Sequence, residues 1–396
     1  MNENNPDAQK GRSSDHERRR KTVWLFSLGA FLNDLGYYAV ITIWPIFVTS
    51  VIGASVTFLG FIDGLGDAFV SLSQAGSGFL SDKLRKRKVF IWLGYFLAFI
   101  SRIVYAVSYQ SWQLIPGKIL DRAGKMRDAP RDAIVADITP REKRASAFGV
   151  LRAADRGGAV FGLLASILLV GYFSYRQMFL LAAIPSLLGS LIVLFFVREH
   201  TYADHLKPMF SFKFISRDLK IFTLTSAIFT LGAFSDSFYI LAANRLGVSL
   251  KFVPLFFLAF LFFSSIFAIP FGKLSDKIGR LFVVAVSFIL FIIVNLIFIF
   301  YQSFWMIFIA FVTLGIHSAA YEGNLKTIIA EFAPPPLRSS IIGSFQMLIG
   351  LIALPASLIA GILWDGIGLK APFVLSLALT FIALLLLFFV REPKNI

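Results

Sequence analysis

The sequence predicts an all-α membrane protein with twelve transmembrane helices in two parallel six-helix halves. Three observations carry this prediction. The chain of 396 residues is 57% hydrophobic and only 15% charged, whereas soluble globular proteins carry about 25% charged residues. Apolar runs long enough to cross a bilayer recur along the whole chain. Charged landmarks in the first half recur at a constant spacing in the second half.

Each predicted helix corresponds to one apolar run, because helices satisfy every backbone polar group within lipid. The predicted spans are 22–50, 56–82, 88–108, 111–136, 145–171, 177–197, 219–243, 252–275, 281–301, 303–330, 340–363 and 371–390. The first run begins at Thr22 and is longer than the apolar core of a cleavable signal peptide. We therefore interpret it as a retained transmembrane helix.

The distribution of lysine and arginine predicts the orientation. With the N-terminus inside, most of the 38 basic residues fall in or beside cytoplasmic segments. The external loops carry four of them, Arg176, Arg245, Lys251 and Lys370. By the positive-inside rule, we expect both termini in the cytoplasm and the chain in the lipid bilayer of a bacterial inner membrane. This bias also explains the net charge of +15 without a nucleic-acid partner.

The chain contains an internal duplication. The segment GFLSDKLRKRK begins at Gly78, and GKLSDKIGR begins 194 residues later (272 − 78) at Gly272. The same offset relates Asp137 to Glu331. We therefore divide the chain into a cytoplasmic tail (1–21), an N-terminal six-helix bundle (22–197), a cytoplasmic linker (198–218), a C-terminal six-helix bundle (219–390) and a C-terminal tail (391–396).

Twelve helices in two repeats, with G-x-L-S-D-K after helices 2 and 8, resemble the major facilitator superfamily over the whole chain. That resemblance implies its fold, transport by alternating access, and a cytoplasmic gate built from the loop motif. The matching positions are Gly78, Asp82, Lys83 and Arg87 in the first copy, and Gly272, Asp276, Lys277, Gly279 and Arg280 in the second. By the same resemblance, Asp82 and Asp276 would act as latches. Arg85 stands where the motif usually has glycine.

Three further segments resemble one branch of that superfamily. They are FLND from Phe31, LDRAGKMRDAPRDA from Leu120 and RAADRGGA from Arg152. Met126 departs from the branch, which usually has glycine there. This resemblance implies the fold and transport, but it does not identify a cargo.

Helix 4 is the most highly charged of the predicted spans, and its midplane falls near Asp121 or Arg122. Charges at that depth must face protein or water. We expect the deeper charges to line a cavity or to gate it, with a purely structural network as the alternative. These deeper residues are Lys118, Asp121, Arg122 and Lys125. For the end from Arg127 to Asp137 we expect salt bridges to helix 5 and the inner loops.

Helix 5 repeats this pattern with Arg152, Asp155 and Arg156, and Asp155 is placed to neutralise an arginine of helix 4. Gly158 and Gly162 form a G-x-x-x-G pattern, which permits close helix packing. The Gly-Pro-x-x-Gly-Gly run of antiporter members is not present after Gly162, which counts against a drug/proton antiporter.

Several acids are predicted near the midplane: Asp34 with its neighbour Tyr37 in helix 1, Asp63 and Asp67 in helix 2, and Asp236 in helix 7. A lone carboxyl group in a low-dielectric site can exchange a proton near neutral pH, as proton coupling requires. We rank Asp34 first and Asp67 second for that role. The alternative is an ion pair of either residue with Arg122.

The second half offers His317 and Glu322 in helix 10. A histidine at this depth can relay protons, but a hydrogen-bonded packing histidine is the alternative. Glu322 and Lys326 are one turn apart and are expected to pair.

These features together predict a monomeric secondary active transporter for a small anionic or zwitterionic solute, driven by a proton gradient and needing no cofactor. The alternative is a proton-coupled exporter of hydrophobic cations, in which Asp34 or Asp67 binds the cargo. A membrane sensor or enzyme is a third hypothesis. The chain has no cysteine and four histidines, which excludes thiolate metal sites. It also lacks an H-E-x-x-H motif and a phosphate-binding glycine loop.

Overall fold

The computed structural model describes residues 6–140, 144–199, 216–333 and 338–391, with the side chains of 6–19, 82, 145, 326 and 338–340 excepted. The long helices in these ranges are α1 (Pro6–Ile41), α2 (Val56–Leu84), α3 (Lys88–Val107), α4 (Leu114–Ala123, Gly124–Arg127 and Asp128–Ile138), α5 (Arg144–Leu169) and α6 (Tyr175–Phe196). They continue with α7 (Arg217–Gly232 and Asp236–Arg245), α8 (Val253–Ile278), α9 (Arg280–Phe300), α10 (Phe304–Phe332), α11 (Arg338–Gly366) and α12 (Ala371–Leu387). The short segments Trp44–Ile46 and Phe47–Val51 continue α1.

The predicted all-α membrane class is confirmed. Within the described ranges, eight helices are long and apolar enough to cross a bilayer, and α1 with its continuation, bent by 45°, makes a ninth. α4 and α5 fall outside this group because they carry more charged residues, and α12 because it is shorter. The total of twelve crossings and their orientation stay predictions.

The connections define two ends of the bundle. We call the end that holds residues 85–87, 197–199 and 279 the basic end, because arginine and lysine are concentrated there. The other end holds residues 52–55, 108–110, 246–252, 301–303 and 367–370, and we call it the opposite end.

The two halves meet where α2 packs against α11 and where α5 packs against α8. A Cβ atom added at Gly60 would lie 2.0 Å from the carbonyl oxygen of Ser357, and one at Gly361 would lie 2.6 Å from the Cα atom of Thr57. Only glycine therefore allows α2 and α11 to approach this closely. Because these residues lie towards the opposite end, the two halves are tightly joined there.

Inside the first half, α1 and α5 pack closely, as the G-x-x-x-G pattern predicts. A Cβ atom at Gly158 would lie 2.3 Å from the carbonyl oxygen of Phe31, and one at Gly162 would lie 2.5 Å from that of Leu35. α4 crosses α3 just as closely, since a Cβ atom at Gly124 would lie 2.7 Å from the Gly94 carbonyl oxygen. These contacts hold the charged faces of α4 and α5 towards the interior.

The turn after α2 differs between the two repeats. Arg85 has φ +52°, and Gly279, its counterpart 194 residues later, has φ +101°. This left-handed region costs an L-residue about 1–2 kcal/mol, and glycine adopts it freely.

We expect Arg85→Gly to raise the free energy of unfolding by about 0.5–1 kcal/mol, because relief of strain outweighs the extra flexibility of the unfolded chain. Thermal unfolding in detergent measures this. Lys86→Gly is the matched control and should lower the stability, since Lys86 is not among the residues with positive φ. A lower melting temperature for Arg85→Gly would contradict the strain argument.

Candidate functional site

Three adjoining cavities lie between the two halves, with volumes of about 340, 690 and 370 Å³. The first and second share Asp67 and Arg122, the first and third share Tyr37 and Asp236, and the second and third share Lys125. We call the combined space the central chamber. It extends from the middle of the bundle towards the basic end.

The chamber brings together most of the residues that the sequence singled out as pathway candidates. Its walls include Asp34, Tyr37, Asp67, Lys118, Asp121, Arg122, Lys125, Arg152, Asp155, Arg156, Asp236 and Glu322. Asp63 and His317 are not part of these walls. What each residue does there stays a prediction.

Asp63 is the centre of a buried network beside the chamber. Its carboxylate lies 2.5 Å from the Lys118 ammonium, and it accepts hydrogen bonds from Trp44 Nε1 and Ser235 Oγ, both at 2.9 Å. The backbone N–H of Ser235 in turn donates to Ser357 Oγ at 3.1 Å. We call Trp44, Asp63, Lys118 and Ser235 the Asp63 cluster. Because Ser235 belongs to the second half, the cluster joins the two halves.

A second polar contact closes the opposite end. The Asp365 carboxylate of α11 accepts hydrogen bonds from the backbone N–H groups of Val56 and Thr57, at 3.2 and 2.6 Å. The first turn of a helix has unsatisfied N–H groups and a positive dipole end, so a carboxylate suits it. Asp365 was not predicted from the sequence, since it lies near a predicted loop and nothing local indicates its partner.

Arg122 lines the chamber with part of its hydrogen-bonding capacity unused. Its Nε is 3.6 Å from Asp121 Oδ2 and is buried without a hydrogen-bond partner. The guanidinium lies 5.8 Å from the centre of the Tyr37 ring, and Lys125 Nζ lies 5.6 Å from the same ring. Among the described side chains, Arg122 forms no ion pair with Asp34 or Asp67, so the alternative pairing considered for these acids is not formed.

The carboxylates of Asp67 and Asp236 line the chamber from opposite halves. Neither forms an ion pair within the described part of the chain. A break in α7 places Asp236 at the first position of the helix Asp236–Arg245, where the helix dipole favours negative charge. Asp34 accepts a hydrogen bond from the side chain of its neighbour Asn33 at 3.1 Å.

Arg102 of α3 also lines the chamber, although it was not predicted from the sequence. It is fully buried, and its guanidinium donates to the Ala98 and Asn33 carbonyl oxygens and to Ser186 Oγ. These partners are all neutral. The sequence did indicate this residue, since it is a single arginine inside the apolar third span. A charge at that depth requires a specific partner or a polar cavity.

Nearer the basic end, α4 and α5 are joined by ion pairs, as expected from the sequence. Arg131 lies 3.2 Å from Asp132 and 3.7 Å from Asp155. Arg152 bridges the same two acids at 3.3 and 3.4 Å. Arg156, one turn further, has no ion pair among the described residues.

His317 is a packing residue in this structure, which agrees with the alternative considered for it. Its Nδ1 is 2.8 Å from the Ser287 carbonyl oxygen, and its ring stacks on Tyr321. Glu322 accepts a hydrogen bond from Ser318 at 2.7 Å. The expected pair of Glu322 with Lys326 lies outside the described side chains.

The two copies of the loop motif make related contacts. Arg87 pairs with Asp137 at 2.6 Å, and Arg280 pairs with Glu331 at 2.7 Å. Asp276 lies 3.5 Å from Arg280 of its own half, and the Asp82 side chain lies outside the described residues. The latch role of both acids therefore stays a prediction.

Comparisons with known proteins agree with this arrangement. The family model described as Major Facilitator Superfamily matches residues 26–259 and 238–396. An uncharacterised MFS-type transporter of Methanocaldococcus jannaschii is 36% identical over 96% of this chain and 98% of that protein. A multidrug resistance protein of Salmonella schwarzengrund, MdtG, is 23% identical over 79% of this chain and 80% of its own length.

Solved structures show the same fold. A bacterial homologue of the human lysosomal transporter Spinster, in an inward-facing and occupied conformation, superposes with a TM-score of 0.74. The alignment covers 94% of this chain and 96% of that one, at 16% identity.

Proposed function

The chain belongs to the major facilitator superfamily, and we propose that it is a proton-coupled secondary transporter for a small solute that carries an anionic group. The observation that carries this proposal is the central chamber between the two halves, with the Arg122 Nε, which has no hydrogen-bond partner, on its wall.

The state described by the structure supports alternating access. The Asp63 cluster and Asp365 join the halves at the opposite end, whereas the chamber extends to the basic end. Under the predicted orientation this is an inward-facing state. Opening the opposite end requires the Ser235–Asp63 hydrogen bond to break, because these residues belong to different halves.

The charges of the chamber favour a cargo with a negative group. Arg102 and Lys125 are lining cations that form no ion pair among the described residues, and Arg122 has Asp121 3.6 Å from its Nε. Arginine suits carboxylate and phosphate groups because its planar guanidinium can donate two parallel hydrogen bonds. Asp67 and Asp236 provide acidic groups nearby, so a zwitterion is also accommodated.

Asp67 is our choice for the proton-coupling carboxyl, ahead of Asp34 and Asp236. It lines the same two cavities as Arg122 and forms no ion pair in the described chain. A proton on Asp67 and an anion on Arg122 would each change the field that the other experiences.

Asp67→Asn should therefore exchange cargo across the membrane of proteoliposomes but should no longer accumulate cargo in response to a pH gradient. Asp34→Asn and Asp236→Asn are measured in parallel, and Asp155→Asn, which disrupts ion pairs to Arg131 and Arg152, serves as the structural control. Gradient-driven accumulation that is unchanged in Asp67→Asn would remove Asp67 from this role, and normal accumulation in all three variants would contradict proton coupling through these carboxyls.

An exporter of hydrophobic cations is the second candidate, supported by the unpaired acids and by the similarity to a multidrug resistance protein. A thermal-stability screen of the purified protein separates the two, using organic anions, zwitterions and cations at two pH values. A ligand at 100 times its dissociation constant stabilises the protein by about 2.7 kcal/mol. A cluster of anionic hits supports our proposal, and lipophilic cationic hits support the exporter.

A further inference from the structure

An apolar groove lies on the outside of the bundle where α5 meets α8, with a volume of about 700 Å³. It is lined by α5 residues around Gly157 and Phe161, by α8 residues from Leu255 to Ser265 and by Phe308 of α10. All lining residues except Arg156, Gly157 and Ser265 have apolar side chains. Phe161 and Phe262 are exposed, so the groove is open to the surroundings of the bundle.

Arg156 lies at the edge of this groove, and it also lines the central chamber. It is the thirteenth residue of α5, which has 26 residues, so it lies near the middle of the helix. Its side chain is exposed and has no ion pair among the described residues. A guanidinium at this depth is unfavourable in hydrocarbon unless an anion or water accompanies it.

The groove adjoins the chamber at this arginine. Leu261, like Arg156, lines both of them. The wall of α8 from Leu255 to Ser265 rises about 15 Å, which is about half of the ~30 Å hydrocarbon thickness of a bilayer. This length suits an alkyl chain that lies along the groove while its head group has left the membrane surface for Arg156.

We propose that the α5–α8 groove binds the alkyl chain of an anionic amphiphile drawn from the membrane, with Arg156 pairing to its head group at the chamber. The site is a lateral entrance to the chamber. This inference names an anionic amphiphile as the class of cargo for the proposed transporter. Binding in the groove does not depend on the proposed function, but transport of the bound amphiphile rests on it.

Charge complementarity selects this occupant over an uncharged lipid. The groove supplies an apolar surface for a chain, and Arg156 supplies one unpaired positive charge where the chain would end. A charge-assisted hydrogen bond is worth more than a neutral one. We therefore expect a single-chain phosphate amphiphile to bind about tenfold more tightly than a phosphocholine amphiphile with the same chain.

Native mass spectrometry of the full-length protein tests this with two probes, oleoyl lysophosphatidate and oleoyl lysophosphatidylcholine. Arg156→Gln should abolish the preference for the phosphate amphiphile, and Arg156→Lys should retain it. Arg152→Gln is the matched control. Arg152 is one turn away and its side chain is also exposed, but it is already paired with Asp132 and Asp155. That control should retain the preference.

A second pair of variants tests the groove itself. Ala259→Trp fills the groove and should weaken both amphiphiles about tenfold, whereas Ile269→Trp, on an exposed part of α8 outside the groove, should not. An undiminished preference in Arg156→Gln, or undiminished binding in Ala259→Trp, would overturn the proposal. Because binding is measured without a gradient, these results do not depend on whether the screen for small anions succeeds, and a transport failure alone would overturn only the proposed function.

Discussion

Asp63→Asn should destabilise the fold by about 3–5 kcal/mol and loosen the opposite end of the bundle, which reduces transport. The substitution leaves the Lys118 ammonium buried without its counter-ion, since Lys118 lies 2.5 Å from Asp63 and both side chains are almost fully buried. Removing one member of a buried ion pair costs about 3–5 kcal/mol. It also weakens the acceptor for Trp44 and Ser235, and the Ser235 bond is the one in the Asp63 cluster that joins the halves.

The ion pair lies within the first half, so its loss lowers the stability of the closed and open states alike. Loss of the Ser235 bond, about 1 kcal/mol, acts on the closed state and would change its ratio to the open state by about fivefold. Thermal unfolding and cargo exchange measure the two consequences. Ser235→Ala is the milder comparison and should cost about 1 kcal/mol, because it removes the contact between the halves and leaves the ion pair intact. The double variant Asp63→Asn/Lys118→Met should recover thermal stability without recovering the contact between the halves.

Two results would contradict parts of this prediction. If Asp63→Asn melts at the wild-type temperature and exchanges cargo at the wild-type rate, the Asp63 cluster does not hold the opposite end closed. If the double variant is no more stable than the single one, the buried Lys118 charge is not the source of the cost.

Arg122→Gln should abolish stabilisation by anionic ligands while leaving the fold intact. The Arg122 Nε is buried and has no hydrogen-bond partner, so its removal breaks no hydrogen bond at that atom. It does remove the ion-pair partner of Asp121, 3.6 Å away, so a lower melting temperature without ligand is expected. A charge-assisted hydrogen bond contributes about 1.5–3 kcal/mol, and loss of a bidentate contact should weaken anion binding by about 100-fold. Arg122→Lys keeps the charge but loses the planar guanidinium that donates two parallel hydrogen bonds. This variant should bind the anion with intermediate affinity.

The measurement is the thermal shift produced by each anionic hit of the ligand screen, compared among wild type, Arg122→Gln and Arg122→Lys. Lys125→Gln is the matched control from the same helix, since it removes a neighbouring lining cation. An equal loss in Lys125→Gln would show that general chamber charge, rather than Arg122, binds the anion. Full retention in Arg122→Gln would contradict the assignment of Arg122.

The sequence was sufficient to predict the helical membrane class, the family and the gathering of charges on α4 and α5. Charges in an apolar chain restrict where a helix can face, so Arg122, Lys125 and Asp67 were found by that argument. The pairing of charges was less accessible. Asp63 and Asp67 are one turn apart on α2, and either can meet Lys118 or Arg122, depending on how α2 and α4 are shifted along their axes.

Contacts between distant segments were not predicted either. Ser235 and Asp365 reach α2 from the second half, and a single sequence contains no local pattern that indicates such partners. Arg102 is a different case, because a lone arginine in an apolar span was visible and its significance was overlooked.

The central claim, alternating access with the opposite end closed in this state, is tested most directly by distances between spin labels at the two ends. The chain has no cysteine, so pairs of introduced cysteines can be labelled selectively. Tyr109 and Ile367, which are 73% and 76% exposed, mark the two halves at the opposite end, and Leu84 and Ile278 mark them at the basic end. In lipid nanodiscs we predict that Asp63→Asn lengthens the first distance and shortens the second. Two distances that stay unchanged, or that lengthen together, would contradict the account.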